Sequence, residues 1–444
     1  MAARTVAALV EQDSGAHMRW SAWLRKAALA VTDQGLISGA NMVCTIVLAR
    51  WMGPEGYGNY VLAFSAYMLV SAIQQALVLE PMSVLGPVMY GGTQKPYLRS
   101  LLWVHGGLTL VFSVALFAAA AIANAISSNG ELANALYGLA IGAPFILLLG
   151  MLRSACYLRY DVRIAAAAAV MYAVLFISGV AGMHALFVIS PFSVFVLMSA
   201  VSIVVSLIMI PHVMGGATVL NQRIPLREVC REHWRYGRWA LGSSAVSWAW
   251  ENSWYILSGA LLSMREVGGL RSAGNLLLPV AHIAAACGRL AQPYVSAIAG
   301  KGDAARLVAS VRRMGILFTA VAALYCIGIS VFDHTIFARI YGPRFAPFAS
   351  LFPWIGLNYV LTIASQSGFG IGLRALQSPA SVFSAYAGGA AIATILSIPA
   401  AHAYRLPGIV GASIVASIFS LTMSAYLFRM KMRSRSRELA VSQN

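Results

Sequence analysis

Long apolar runs recur along the whole chain, and they constrain the fold more than any other feature. A helix that crosses the hydrocarbon core of a bilayer needs about 20 consecutive apolar residues. About twelve runs of that length lie near residues 28–49, 59–80, 101–125, 135–153, 164–186, 192–214, 239–263, 274–298, 313–333, 347–366, 375–400 and 407–428. Lipid offers no partner to an exposed backbone N–H or C=O group, so each run is expected to form a helix. The sequence predicts an all-α integral membrane protein with about twelve transmembrane helices.

The charge balance excludes other classes of protein. Only 10% of the 444 residues are charged, whereas a soluble domain carries roughly 25%. The formal net charge is +17, but the basic residues lie between apolar runs and form no basic helix or zinc-ligand spacing, so we expect no nucleic-acid partner. The histidines and cysteines are isolated along the chain. No catalytic set, metal site or cofactor is therefore predicted, and we do not expect an enzyme.

The distribution of Lys and Arg predicts how the chain lies in the membrane. With the N-terminus in the cytoplasm, 24 of the 31 Lys and Arg residues are cytoplasmic, 6 are on the other side and one, Arg289, lies inside a run. Cytoplasmic loops retain positive charge, so both termini are predicted to be cytoplasmic. The predicted organisation is a cytosolic tail (1–27), a six-helix N-lobe (28–214), a basic cytosolic linker (215–238), a six-helix C-lobe (239–428) and a basic cytosolic tail (429–444).

Six runs on each side of the linker give both lobes the same orientation, so any internal repeat is of the parallel kind. A weak internal similarity supports such a repeat. The segment at the end of the first run, VLARWMGPEGYGNYVLAF, resembles the segment at the end of the seventh, ILSGALLSMREVGGLRSA. We interpret GPEGYG as a tight extracytoplasmic turn, in which glycines adopt positive φ and Pro54 ends the helix. Arg50, just before the turn, is expected to reach the outer headgroups.

Ionisable groups inside the runs are the candidate functional residues, because they are costly in hydrocarbon and normally face a partner or a water-filled cavity. Glu251 lies roughly 20 Å deep in the seventh run, on one helical face with Trp248 and Tyr255. Arg289 lies roughly 15 Å deep in the eighth run. These depths allow a salt bridge or a shared polar cavity. The pair either lines a substrate or ion pathway or holds the two helices together, and both alternatives stay open.

The first run carries a polar stripe that includes Asp33, Gln34 and Asn41. Such a stripe along one helical face either forms hydrogen bonds to neighbouring helices or lines a hydrated cleft between the lobes. The sequence does not separate the two.

A cation within the membrane would suit a phosphorylated lipid head, because arginine binds phosphate oxygens in bidentate fashion. Arg289 is the first candidate, since no other arginine lies well inside a run. Arg153 and Arg271, near helix ends, are further candidates, with orientation of the helix or snorkelling to headgroups as the alternatives. The aromatic residues of the seventh run either stack on sugar rings or pack between helices.

Taken together, these stretches resemble the polysaccharide-transporter branch of the multidrug/oligosaccharidyl-lipid/polysaccharide flippase superfamily. The resemblance is carried by LARWMGPEGYGNYVLAFS, by EPMSVLGP (80–87), by ENSWYILSGALLSMREVGGLRSAGNLL (251–277) and by ARIYGPRFAPFASLFPWIGLNYVL (338–361). It implies a flippase of the bacterial inner membrane that moves an undecaprenyl-pyrophosphate-linked oligosaccharide to the periplasmic leaflet. The implied mechanism is alternating access of two six-helix lobes around a cationic cavity.

The resemblance also implies binding partners, and two alternative functions stay open. The implied partners are the lipid-linked oligosaccharide, membrane lipids, and a polysaccharide polymerase with its chain-length machinery. Proton or sodium coupling is known among relatives, but many of them have Asp where this chain has Glu251-Asn252, which puts that role in doubt. The alternatives are a cation-coupled multidrug antiporter of the same superfamily and a membrane glycan polymerase or ligase. The polysaccharide, whether exopolysaccharide, capsule or lipopolysaccharide O-antigen, is not specified by the sequence.

The predicted orientation can be tested with topology reporters. Because of the bias in Lys and Arg, fusions at residues 225 and 305 should read cytoplasmic and a fusion at residue 268 should read periplasmic. Paired alkaline phosphatase and fluorescent-protein fusions measure this directly. The opposite pattern would overturn the orientation.

Overall fold

The computed structural model describes residues 20–90, 93–126, 130–158, 161–214, 224–301 and 303–442. Within these ranges, the side chains outside the description are those of residues 20–38, 40, 88, 162, 243, 286, 289, 290, 293, 379 and 435–442. The predictions for the side chains of Asp33, Gln34 and Arg289 fall on these positions and stay predictions. The predicted tail 1–27 and linker 215–238 lie partly outside the described residues.

The N-lobe is built around one central helix, α4. Its helices are α1 (Trp20–Gln74), α2 (Glu80–Met89), α3 (Gln94–Ile126), α4 (Glu131–Leu158), α5 (Val162–Ala185) and α6 (Pro191–Met214), with a π turn, Gln75–Leu79, between α1 and α2. α4 packs against α1, α3 and α6. The backbone of α4 approaches α6 closely at Gly138, next to Phe192, and at Gly142, next to Phe195. Small residues at a helix contact are typical of membrane bundles, where van der Waals packing drives association.

The C-lobe has more breaks. Its helices are α7 (Leu226–Leu261), α8 (Met264–Asn275), α9 (Leu278–Gly300), α10 (Ala304–Val331), α11 (Asp333–Ile340), α12 (Phe352–Ile363), α13 (Ile371–Ala375) and α14 (Pro379–Ser442). A 3₁₀ segment, Pro343–Leu351, precedes α12, and a π turn, Ala364–Gly370, follows it. α14 packs on α7 and α12, and α10 packs on α12 and the π turn.

The number of membrane crossings agrees with the sequence. Among the described residues, eight stretches are long and apolar enough to span. Two of these, Asn41–Pro87 and Ala380–Ser434, are each broken by one non-helical residue, Gly53 or Arg405, and so supply two crossings apiece. α7, with 36 residues, and α9, with 23 residues, are long enough to form the remaining two. The prediction of about twelve transmembrane helices in two six-helix lobes is confirmed.

The structure corrects the interpretation of the GPEGYG stretch. Gly53 has φ 75° and ψ 175°, as expected for a tight turn, but the residues after it are helical. Pro54 therefore opens the second helix instead of ending the first, a position where its missing N–H costs nothing. A Cβ on Gly58 would overlap the carbonyl oxygen of Met264, and a Cβ on Gly268 would overlap that of Pro54. The two motifs that resemble each other in the sequence thus pack against each other, backbone to backbone, where the two lobes meet.

Arg50 takes part in the same contact between lobes and does not merely reach for headgroups. Its guanidinium donates hydrogen bonds to the carbonyl oxygens of Arg339, at 2.7 Å, and Ile340, at 3.4 Å. These carbonyl groups lie at the C-terminal end of α11, where a positive charge is favourable. Nearby, Asn275 Nδ2 donates to the hydroxyl of Tyr57 at 2.8 Å. The lobes are therefore held together at this end by polar bonds as well as by packing.

Three helix boundaries differ from the predicted ones. α7 begins at Leu226, inside the predicted linker, and its first turns pack on the π turn Gln75–Leu79. There His233 lies 2.7 Å from the hydroxyl of Tyr97 and 3.0 Å from the carbonyl oxygen of Leu77. Residues 264–273, expected to be a loop, form α8, because Gly268 and its neighbours are buried against α1. The tenth run continues through the π turn to Ala375.

The glycine contact predicts a specific loss of stability. Gly268→Val should cost about 1–3 kcal/mol, the usual range for overpacking a tight site, because the new side chain forces α8 away from Pro54. Gly107→Val is the matched control, since nothing lies within 4 Å of a Cβ placed on Gly107. Thermal unfolding of the purified proteins measures both, and an equal shift in the two variants would contradict the packing.

Candidate functional site

A cavity of about 680 Å³ lies within the C-lobe. Residues of α7, α8, α9, α12, α13, α14 and the π turn Ala364–Gly370 line it. The sequence predicts a chamber enclosed by both lobes, whereas this cavity is lined by the C-lobe alone. Three of the predicted site residues, Glu251, Tyr255 and Arg271, meet here.

Arg271 provides the cation of the cavity. Its guanidinium carbon lies 5.3 Å from the centroid of the Tyr255 ring, and Nη1 lies 3.5 Å from the Tyr255 hydroxyl. This arrangement is a cation–π contact, worth more when it is desolvated. α8 holds Arg271 in place because Gly268 and Gly269, one turn earlier, seat that helix tightly against Pro54 and Phe348. The expectation that Arg271 snorkels to the headgroups does not describe this position.

Glu251 lies in the same cavity but does not form an ion pair with Arg271. No N···O distance of 4.0 Å or less joins the two side chains, although both are described. Glu251 is exposed to open space and Arg271 is half-buried. Two opposite charges thus share one cavity while leaving room between them. The predicted partner, Arg289, is carried by α9, and its side chain lies outside the described residues.

Aromatic rings form one wall. Trp250, Trp254 and Tyr255 all line the cavity. Trp254 and Tyr255 are 5.3 Å apart between ring centroids, and Trp250 meets Tyr386 edge to face at 5.9 Å. Glu251 and Tyr255 of the predicted helical face therefore line the cavity beside Trp250 and Trp254, whereas Trp248 does not.

Trp248 itself has another role. Its indole N–H donates to the carbonyl oxygen of Ser65 in α1 at 2.9 Å, so it lies at the contact between the lobes.

A polar network lies on the opposite wall. Ser417 donates to Asn358 Oδ1 at 2.7 Å and lies 3.2 Å from the hydroxyl of Thr362. Both Asn358 and Thr362 belong to α12, whereas Ser417 belongs to α14, so these bonds tie two crossings together. Interhelical hydrogen bonds of this kind are worth roughly 0.6–2 kcal/mol in a membrane. All three residues also line the cavity.

Sequence reasoning missed several lining residues. Arg374 lies between the predicted runs 347–366 and 375–400, but in the structure it lines the cavity from α13. Asn358, Thr362 and Gln366 also line it. They recur every four residues, a spacing that marks one helical face, and this signal was available in the sequence.

The other predicted residues lie elsewhere or are only partly described. Arg153 is half-buried in α4, within electrostatic range of Tyr67 and Tyr172 of the N-lobe. Asn41 is half-buried in α1. Across the part of the chain that the structure describes, no three His, Cys, Asp or Glu side chains come together as metal ligands do.

Comparison with known proteins identifies the family. A sequence model of the family described as "Polysaccharide biosynthesis protein" matches residues 47–350. The chain belongs to this polysaccharide biosynthesis family. No curated protein sequence matches the chain significantly.

The chain shares its fold with solved structures of transporters from the MOP superfamily. The lipid II flippase MurJ in an inward closed conformation superposes with a TM-score of 0.72 at 13% identity, covering 93% of this chain and 91% of that one. A multidrug resistance MATE family transporter gives 0.71 at 14% identity in its inward-facing form, covering 92% of this chain and 99% of that one. An outward-facing MATE structure gives 0.61 at 14% identity, covering 93% and 96%.

The family match shows that the chain is a polysaccharide biosynthesis protein, and its many apolar helices show that it is a multi-pass membrane protein. The structural matches show that it shares its fold with a lipid flippase and with multidrug transporters.

The cavity makes Arg271 the residue to test first. Arg271→Ala should lower polysaccharide export roughly thirtyfold, because a charge-assisted hydrogen bond contributes about 2 kcal/mol. Arg265→Ala is the matched control, since Arg265 is an exposed arginine of the same helix that does not line the cavity. Export is measured in a deletion strain complemented with each variant, at equal amounts of membrane-inserted protein. The same assay on Arg289→Ala tests the sequence-based candidate, and unchanged export would remove that residue from the site.

Proposed function

We propose that this protein flips an undecaprenyl-pyrophosphate-linked oligosaccharide from the cytoplasmic to the periplasmic leaflet of the bacterial inner membrane. The pyrophosphate head enters the lobes while the polyprenyl tail stays in lipid. The observation that carries the proposal is the cavity inside a membrane-spanning lobe, in which no carboxylate of the described side chains lies within 4.0 Å of the Arg271 guanidinium.

The chemistry of the cavity fits such a head. A pyrophosphate loses its hydration when it leaves the interface, and an unpaired guanidinium replaces water through short, charge-assisted hydrogen bonds. Arg374 adds a second positive charge to the lining. Tryptophan faces pack well on the apolar faces of sugar rings, and the amides and hydroxyls of the opposite wall can bond sugar hydroxyls. Glu251 adds an acceptor for those hydroxyls.

The size of the cavity limits how much of the cargo it holds. A volume of about 680 Å³ is within the range of pockets for drug-sized ligands, roughly 300–1,000 Å³. It has room for the pyrophosphate and the sugar next to it. The rest of the oligosaccharide would extend into the cleft between the lobes, where Asp33, Gln34, Asn41 and Arg289 are proposed to lie.

We propose that alternating access works through the contact between the two lobes. In this structure Pro54 and Gly58 of α1 pack against α8, at the end predicted to be periplasmic. Opening that end requires the backbone contact at Gly58 and Gly268 and the Arg50 hydrogen bonds to separate. The released oligosaccharide would then pass to a periplasmic polymerase and its chain-length machinery, the proposed partners.

The decisive experiment is deletion of the gene followed by analysis of lipid-linked oligosaccharides. Deletion should cause an unpolymerised repeat to accumulate on undecaprenyl pyrophosphate in the cytoplasmic leaflet, where it is protected from periplasmic glycosidases in intact spheroplasts. The wild-type gene should clear this pool and Arg271→Ala should leave it.

Two outcomes would contradict the proposal. Increased sensitivity to cationic drugs without a lipid-linked intermediate would support the multidrug antiporter. A repeat that reaches the periplasmic leaflet but stays unpolymerised would support the polymerase or ligase.

A further inference from the structure

A second hollow lies on the outer surface of the C-lobe, away from the cavity that holds Arg271. It is a groove of about 760 Å³ between α10, the π turn Ala364–Gly370 and α14. α10 is the least buried of the candidate spans, with 11% of its most apolar window inside the protein. Leu317 and Leu324, on the same helix, are 60% and 71% exposed. This surface therefore faces lipid.

The groove exists because small residues line its floor. A Cβ on Gly315 of α10 would lie 3.2 Å from the Cα of Gly368, so the two backbones nearly touch there. Further along α10, Ala320 and Ala323 leave a hollow that Leu421 and Phe428 of α14 wall off. Apart from Thr319, the lining from Gly315 to Ala323 is apolar, as a hydrocarbon chain requires.

Three arginines line one end of the groove: Arg312 of α10, and Arg429 and Arg433 of α14. Arg429 and Arg433 are four residues apart, so they project from the same face of their helix. All three side chains are exposed. No ion pair to any of them occurs among the side chains that the structure describes. Three unpaired guanidinium groups at one place repel one another unless an anion lies between them.

The length of the groove matches one leaflet. Eleven residues separate Arg312 from Ala323, which corresponds to about 16 Å along a helix. Half of the hydrocarbon core of a bilayer is about 15 Å thick. A lipid with its phosphate at the arginines would place one acyl chain along the full apolar length.

We propose that this groove binds one anionic phospholipid of the leaflet in which the arginines lie. Its phosphate is held by Arg312, Arg429 and Arg433, and one acyl chain lies over Gly315, Ala320 and Ala323. Arginine–phosphate bonds provide the headgroup specificity. Each basic residue near an anionic lipid contributes about fivefold to its affinity.

The site is connected to the cavity through one short segment. Gln366 and Ser367 of the π turn line the cavity, whereas Gly368 and Phe369 of the same turn line the groove. π turns inside membrane helices often mark functional positions. A lipid in the groove would brace this turn from the side opposite to the cavity. The lipid is a resident ligand, distinct from any transported molecule.

The test uses the purified full-length protein in phosphatidylcholine nanodiscs, titrated with phosphatidylglycerol and examined by native mass spectrometry. Wild type should retain one phosphatidylglycerol in preference to phosphatidylcholine. Arg429→Gln and Arg433→Gln should each weaken retention about fivefold. Arg313→Gln is the matched control, because Arg313 is an exposed arginine beside Arg312 that does not line the groove.

A second pair of variants tests the apolar part. Ala320→Phe should fill the hollow and abolish retention with all three arginines intact, whereas Leu324→Phe, on the exposed face of α10, should not. Equal losses for Arg313→Gln and Arg429→Gln would mean diffuse attraction to basic residues and would overturn the site. Retention of phosphatidylcholine as strong as that of phosphatidylglycerol would overturn the headgroup assignment. Displacement of phosphatidylglycerol by an equimolar polyprenyl phosphate would assign the groove to the carrier lipid instead.

Discussion

The close approach of two backbones, between Pro54–Gly58 of α1 and Met264–Gly268 of α8, is the contact on which the arrangement of the lobes depends. Only glycine at positions 58 and 268 lets the carbonyl oxygens of Met264 and Pro54 come so near. Helices in lipid gain no hydrophobic free energy by associating, so tight packing and polar bonds must hold the lobes together. The same contact fixes α8, and with it the position of Arg271 in the cavity. The proposed alternating access would have to break this contact without unfolding either lobe, and a junction between rigid helices allows that.

Polar groups buried inside each lobe hold the helices of that lobe together. Gln74 bonds the carbonyl oxygen of Leu147 at 3.1 Å and lies 3.1 Å from His105, which ties α1, α3 and α4 into one unit. Asn358, Thr362 and Ser417 do the same for α12 and α14. These groups satisfy one another and so stabilise each lobe as a rigid body. Arg271 contacts the ring and hydroxyl of Tyr255, but neither it nor Glu251 forms an ion pair among the described side chains. In a low-dielectric interior this leaves both charges available to a ligand.

How much of the site was predictable depends on how each residue acts. Glu251 stands out from the sequence, because a charge in an apolar run is costly whatever surrounds it. Asn358 and Thr362 were overlooked because a lone amide or hydroxyl in a span is common and becomes informative only beside its neighbours on the same face. Arg271 ranks below Arg289 in the sequence because it lies near a helix end, between the predicted runs 239–263 and 274–298. The helix α8 continues inward from Met264, which places that arginine within the lobe.

The sequence by itself determined the class of fold, the number of crossings and the family. The first two follow from hydropathy, because each apolar run is long enough to enter the bilayer whatever its neighbours are. It also contained the two glycine motifs, although nothing in their letters showed that they would contact each other. Only the tertiary structure decided which charges share a cavity, that the cavity belongs to one lobe, and that Arg50 bonds the end of α11. Those outcomes depend on the rotation of each helix about its axis and on breaks at Gly53, Leu262 and Arg405. Rotation is set by packing among neighbours distant in sequence, and no single run encodes it.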